Sequence, residues 1–448
     1  MGRPDARPFG PKFIAGFVAA FPRGTRFVIA YSGGADSLAL LHAFTRWRDC
    51  VSGLDLRAVH VDHHLHREST LWARQCMETC RRLSVHLTVL DAGLKADSTG
   101  HVDEGTARTA RYAAFEGFLS THDILCTAHS EDDHVETILL NLLRGAGSRG
   151  LAGIPDRRRL GETVVARPVR GVSRAELRAY ARSTGLPLIR DPANDNLRYS
   201  RVVLRREVIP VLETRWPGMR TTLARAAQRS RESADLLDAL AAIDLESAGG
   251  IDGATIDVEA VGALEPARRH NAIAGWLRAK GIAPPGAQRV EQIAREVVGA
   301  RSDSMPCVRL GNVEVRRFRG RVHLVRRMRP VTARVVRRCR IPETLELDDG
   351  YLAWKFCADG GLDDEIRHDE ITVRFRGDDA AWMRPLGVRG HSLKKRFQSL
   401  GIPPWERGRV PLVYADGTIA AIGSGWINPR FAAPLGSPGW RLEWSPRS

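Results

Sequence analysis

Over the first 130 residues, short apolar runs alternate with stretches whose apolar positions recur every three or four residues. "RFVIAY", "LRAVHVDHH", "HLTVLDA" and "DILCTAHS" each fit a strand, while residues 68–82 and 104–120 carry helical periodicity. That alternation predicts an α/β fold, a parallel sheet with helices on both faces, and it brings the loops after Tyr31, Val61 and Ala128 to one sheet edge. Farther on, Ser173 and Glu176 read as a capping box opening a helix that stops at a glycine. Residues 219–247 read as a single connecting helix, and "SAGGIDGAT" breaks the pattern after it. The alternation in "NVEVRRFRGRVHLVRR" predicts a two-stranded edge hairpin. We therefore divide the chain into a first domain over 1–218, the helix over 219–247, a middle domain over 248–330, a linker over 331–370 and a third domain over 371–448. The last two domains are expected to be smaller α/β or α+β modules.

Composition narrows the function. The 448 residues hold 68 Lys and Arg against 52 Asp and Glu, a net charge of +16, which suits a polyanionic partner such as nucleic acid. Residues 301–340 concentrate this charge in 13 arginines with only Asp303 and Glu314 as acids, and they read either as a solvated strand face or as an RNA-contacting surface. The seven cysteines are scattered without a CxxC pair, which argues against a disulfide framework and against a zinc ribbon. "FIAGFVAAF" is nine residues long and stops at Pro22, too short to span a bilayer, so we expect a cytoplasmic protein that makes no use of a membrane.

The candidate chemistry starts at "SGGADS", residues 32–37, between an apolar strand and a helix. Glycines and hydroxyls at a helix N-terminus make an anion cradle, and the lysine of a Walker loop is missing. Asp36 places a carboxylate inside that cradle. It reads either as a helix cap or, since capping alone needs no Gly33 and Gly34, as a ligand for Mg2+ on the phosphates. Arg108 and Arg111 share a helix face with Glu104, and Asp132, Asp133 and Glu136 crowd one helical turn, where mutual repulsion suggests a cationic ligand. Six histidines (His60, His63, His64, His66, His129 and His134) match no metal-binding template.

"SGGADS" resembles the SGGxDS signature of the PP-loop ATP pyrophosphatases. Together with "HVDHHLHRES", "EGTARTARYAAF", "TAHSEDDHVETILLNLLRGAGSRGLAGIP", "RPVRGVSRAELRAYARSTGLPLIRDPANDNLRYSRVVLR" and "HSLKKRFQSLGIPPWERGRVPLVY", it makes the chain similar to the tRNA(Ile)-lysidine synthetase family. That resemblance implies a Rossmann-like PP-loop domain, with ATP and Mg2+ as cofactors. It implies as substrates free L-lysine and a tRNA(Ile) with a CAU anticodon, whose wobble cytidine is adenylated and then joined to lysine. Ser32, Gly33, Gly34, Ala35, Asp36, Ser37 and His60 would bind ATP, with Asp36 also on the metal. Asp36, Arg111 and Asp133 would be catalytic, and Asp132, Asp133 and Glu136 would bind lysine. Arg144, Arg149, Arg201, Arg205, Lys394, Lys395 and Arg407 would meet tRNA. A homodimer is compatible with the resemblance.

This chain departs from the family pattern at His64, where glycine is usual, at Ser130, where histidine is frequent, at His134, where glutamine is usual, and at Val202, where asparagine is usual. Two rivals stay open: a tRNA thiolase of the same superfamily, which ordinarily needs a reactive cysteine pair, and a catalytically inactive tRNA-binding protein.

Overall fold

A computed structural model describes residues 8–94, 104–249, 254–282, 285–301, 304–327, 337–347, 350–368, 370–375 and 393–446. Its contacts divide the chain into two units, Met1–Ala239 and Leu240–Ser448.

In the first unit the elements run α1 (Pro11–Val18), β1 (Arg26–Ala30), α2 (Ala35–Arg48), β2 (Asp55–Asp62), α3 (Ser69–Arg82), β3 (His86–Asp91), α4 (Glu104–Phe118), β4 (Asp123–Cys126), α5 (Glu131–Leu143), α6 (Ser148–Leu151), β5 (Arg157–Leu160), β6 (Thr163–Ala166), α7 (Arg174–Ser183), α8 (Ser200–Val203) and α9 (Ile209–Arg215). A π-helical turn, Leu204–Val208, joins the last two, and α10 (Met219–Ser247) begins in this unit.

The strands form one sheet in the order β3-β2-β1-β4-β6-β5. All neighbours are parallel except β5, which returns antiparallel along β6. The interior strands β1 and β2 are apolar on both faces because helices cover both. On one side Leu38, Leu41 and Phe44 of α2, Ile14 of α1 and Leu177 of α7 pack on Phe27 and Ile29. On the other, Tyr112 and Phe115 of α4 pack with Val28, Val59, Leu125 and Leu160. The expected parallel sheet with two helical layers is found, and the loops after β1, β2, β4 and β6 leave the same edge.

The second unit contains the rest of α10, then β7 (Thr255–Asp257), α11 (Val258–Gly262), α12 (Pro266–Ala279), α13 (Ala287–Ile293), β8 (Cys307–Leu310), β9 (Val313–Phe318) and β10 (Arg321–Arg326). Next come β11 (Arg337–Cys339), β12 (Leu345–Leu347), β13 (Gly350–Cys357), β14 (Leu362–Asp363), β15 (Ile371–Arg374), α14 (Leu393–Ser399), β16 (Leu412–Ala415), β17 (Thr418–Ile422), β18 (Trp426–Ile427) and β19 (Gly439–Pro446). The hairpin read as a two-stranded edge is the centre of a four-stranded sheet, β7-β10-β9-β8, closed by Trp276 and Leu277 of α12.

The stretch expected to be a linker, 331–370, is a correction. Its described residues supply β11, which pairs with β15, and β12, β13 and β14, which build a sheet around β19. Strand partners far along the chain decide this structure, and three-residue runs such as "RRC" and "LEL" carry too little periodicity to announce it.

Candidate active site

The turn between β1 and α2 is built as a cradle. Gly33 has φ 81, and its carbonyl accepts from the Ile189 N–H at 3.0 Å. A Cβ there would collide with the Ile189 side chain, so both the backbone angle and the close approach require glycine. Gly34, with φ -72, is the N-cap of α2. Ser37 Oγ closes the turn: it donates to the Gly34 carbonyl at 3.0 Å, accepts from the Ser32 N–H at 3.2 Å and lies 3.1 Å from Ser32 Oγ. The first amides of α2 are thereby aimed at one small volume, with the positive end of the helix dipole behind them.

Asp36 sits in the first turn of α2, not outside it as a cap. Its Oδ1 is buried without a hydrogen-bond partner among the described residues, and its Oδ2 lies 3.6 Å from Arg174 Nε. Burial lifts this carboxyl to about 6, against the opposing pull of Arg174. A desolvated carboxylate oxygen with nothing to accept from fits a metal cation.

Arg174 is the residue that sequence reading missed. It is the first residue of α7, its side chain is 9% exposed, and it ties together acids from two other helices. Nη2 meets Asp133 Oδ1 at 2.6 Å, Nη1 meets Glu136 Oε1 at 3.0 Å, and the backbone N–H donates to Asp132 Oδ2 at 2.7 Å. Arg205, from the π-helical turn, grips Glu136 with a two-pronged contact at 2.8 and 3.1 Å. Arg220 Nη1 lies 3.1 Å from Asp132 Oδ1. The repulsion that seemed to call for a cationic ligand is thus largely met from within the chain.

Glu136, its side chain 1% exposed and both oxygens taken by guanidiniums, anchors the site and leaves no face for an amine, whereas the side chains of Asp133 and Asp132 keep an exposed edge, 16% and 18%. Arg205 is committed to it. Asp133 closes a capping box with Ser130, whose N–H and Oγ it accepts at 2.8 and 2.9 Å. Burial would raise its carboxyl, but Arg174 and the Ser130 amide hold it below its ordinary value. Ser130, one of the departures, therefore has a defined task as N-cap of α5.

The histidines divide by role. His60 Nδ1 pairs with the Tyr31 carbonyl at 2.9 Å, which fixes its proton there and leaves Nε2 as an acceptor beside the cradle. Burial lowers its affinity for a second proton. His63 Nε2 accepts from Arg111 Nε at 3.2 Å, and burial together with that guanidinium pushes the ring down to about 4. His129 Nδ1 lies 2.8 Å from Thr127 Oγ1, and burial lowers it to about 3. His64 takes φ 51, a left-handed angle that accounts for the usual glycine; its N–H donates to Asp62 Oδ1 at 2.8 Å, and its ring lies between Asp62 and Asp91. Among the described residues, His134 hydrogen-bonds to Ile154 and Arg170, not to the cradle. Its Nδ1 accepts from the Ile154 N–H at 3.0 Å, holding the 144–154 segment against α5.

The basic residues expected to meet tRNA differ in accessibility. Arg144 is exposed at the C-cap of α5, and Arg149 pairs with Asp238. Arg201 Nη2 donates to Thr137 Oγ1 at 3.3 Å. In the second unit Lys394 and Lys395 are exposed on α14. Arg407 is a correction: it is buried, and its Nε donates to the Ile402 carbonyl at 3.0 Å, so it shapes the "GIPPWERG" turn instead of facing a ligand. Trp405 is packed, edge-on to Phe318 at 5.9 Å and to His323 at 5.3 Å. The side chain of Glu104 lies outside the described residues.

Comparison with known proteins identifies the family. Residues 12–212 match the family model of the PP-loop domain, 256–323 that of the TilS substrate binding domain, and 371–444 that of the TilS substrate C-terminal domain. The tRNA(Ile)-lysidine synthase of Methylococcus capsulatus is 37% identical over 437 residues, covering 96% of this chain and 98% of its own. That of Coxiella burnetii is 33% identical over 98% of this chain and 97% of its own. With a cradle at Ser32–Ser37, an acid cluster tied by Arg174 and this likeness over nearly the full length, the chain belongs to the tRNA(Ile)-lysidine synthase family.

Proposed function

We propose that this protein uses ATP to join free L-lysine to C2 of the wobble cytidine in a tRNA(Ile) bearing a CAU anticodon. The supporting observation is the pairing of a glycine-dependent anion cradle with Asp36, whose Oδ1 is buried and unpartnered. In the first step the cytidine O2 attacks the α-phosphorus, and pyrophosphate leaves into the amides of Ser32–Ser37. In the second, the lysine amine attacks C2, the C2–O bond breaks and AMP departs. Asp36 would hold Mg2+, which when bound supplies neutralising charge to the phosphates.

Arg111 is the cation for charge developing at the α-phosphate, and His63 sets its position through Nε. Asp132 and Asp133 supply negative charge for the lysine ammonium. Because Arg174 keeps Asp133 ionised, it serves as a fixed counter-charge and is a weak proton acceptor. Arg174 holds the acid cluster in register, so its contribution is orientation.

The thiolase reading loses ground on the cysteines. Cys76, which packs beneath Gly33, and Cys80, in the same core, are buried, and burial pushes each thiol up to about 12, where no thiolate is available at neutral pH. The deciding experiment is mass spectrometry of the wobble nucleoside after incubation with ATP, lysine, magnesium and transcript. Addition of lysine minus water to cytidine is expected; unmodified or sulfur-bearing cytidine sinks the proposal. The binding-only rival is tested by Asp36→Asn, which should lose at least ~100-fold in kcat while still binding tRNA.

A further inference from the structure

On the face of the sheet opposite α2, three arginines converge on a single phenol. Tyr112 projects from α4 beside Phe115 in the smaller sheet core. Arg158 stacks over its ring at 4.2 Å and Arg108, one turn earlier on α4, at 5.1 Å. Arg167 is 4% exposed at the end of β6; its Nη1 donates to the Pro155 carbonyl at 2.6 Å. Arg158 is on β5, at a half-buried position on the same face as the buried Leu160.

Such a concentration of charge needs an anion. The Nε atoms of Arg158 and Arg167 are both buried without a hydrogen-bond partner, and neither residue has a carboxylate partner among the described residues. Buried guanidiniums are ordinarily paired, because a desolvated cation without an opposite charge is costly. The phenol answers only in part. Burial opposes its ionisation, yet Arg108, Arg167 and Arg158 together hold it below its ordinary value. The same guanidiniums, Arg167 and Arg108, also depress His129, so the cluster lies within electrostatic reach of the loop after β4.

We propose that Arg108, Arg158 and Arg167 form a phosphate subsite for the RNA backbone flanking the reacting base, with Tyr112 as the aromatic plate that keeps the guanidiniums apart. This rests on the proposed RNA substrate. The backbone is favoured over ATP by position: the cradle follows β1, whereas Arg167 follows β6, two strands away and so roughly 10 Å along the sheet edge. A triphosphate seated at Ser32–Ser37 already satisfies its anion sites there.

Arg158→Gln in the full-length protein is the test, since Arg158 is only half-buried and its loss leaves the core intact. Binding of a labelled anticodon stem-loop is measured against salt, with ATP KM and thermal unfolding measured alongside. We expect affinity to fall roughly fivefold and the slope of log affinity against log salt to become shallower by about 0.7, the signature of one lost single-strand phosphate contact. Arg158→Lys should restore the slope, and ATP KM should stay unchanged in both variants. Wild-type protein that binds the RNA while Arg158→Gln binds it with the same slope overturns the subsite alone, as does a variant whose defect appears in ATP KM instead. Wild-type protein that binds no RNA overturns the underlying reading as well.

Discussion

Asp36 makes a pH test of the site available. Its folded value of about 6 stands above the ordinary carboxyl value of about 4, so between these the folded chain binds a proton that the unfolded chain has released. Stability contributed by the neutral acid is therefore present at low pH and lost as pH rises through about 6. Asp36→Asn should raise the unfolding temperature of the magnesium-free protein more at pH 8 than at pH 5, as a thermal melt series would show. An equal gain at both would mean that Asp36 is not buried as described. At His64 the strain is local. His64→Gly relieves a left-handed angle that costs a side chain about 1 kcal/mol, so it should leave stability within about 1 kcal/mol of the parent, whereas His64→Val should lower it by more. Gly33→Ala meets both a positive φ and the Ile189 side chain, and it should destabilise by at least ~2 kcal/mol and raise ATP KM.

Among elements, α5 and α7 carry the site jointly. The first turn of α5 is acidic, and the first residue of α7 is a buried arginine, the wrong charge for a helix N-terminus. That oddity was the one sequence signal for Arg174, and only the partners make sense of it: 36, 133 and 136 lie on α2 and α5, far from 174 in the chain. The cradle was legible because its glycines, hydroxyls and aspartate are contiguous. The acid cluster was legible as charge but not as a network, since Arg174, Arg205 and Arg220 reach it only through the tertiary fold. Glu136→Gln should cost about 3–5 kcal/mol, because it removes the shared counter-charge from two guanidiniums, and chemical denaturation would measure it. A value under about 1 kcal/mol would show that the network is dispensable.

At the scale of the whole molecule, the +16 charge makes RNA affinity strongly salt-dependent, and the sequence announced as much. The alternating strands and helices of the first unit were likewise readable, since β1 to β4 and β6 are each followed by a helix; only β5 turns straight back into β6. The strands within 337–363 were not, because β11 pairs with β15, and β13 and β14 pair with β19 near the chain end. The reading of Ser173 and Glu176 as a reciprocal box holds only by half. Ser173 caps the Glu176 amide at 3.2 Å, but the Glu176 carboxylate accepts instead from the Phe9 N–H at 2.7 Å, with Phe9 edge-on to Tyr180 at 5.0 Å. The leading segment thus buttresses the helix that delivers Arg174, although the PP-loop family model begins only at residue 12. A shortened protein cut to that boundary would keep every reactive group and still turn over slowly, its guanidinium left on an unbraced support.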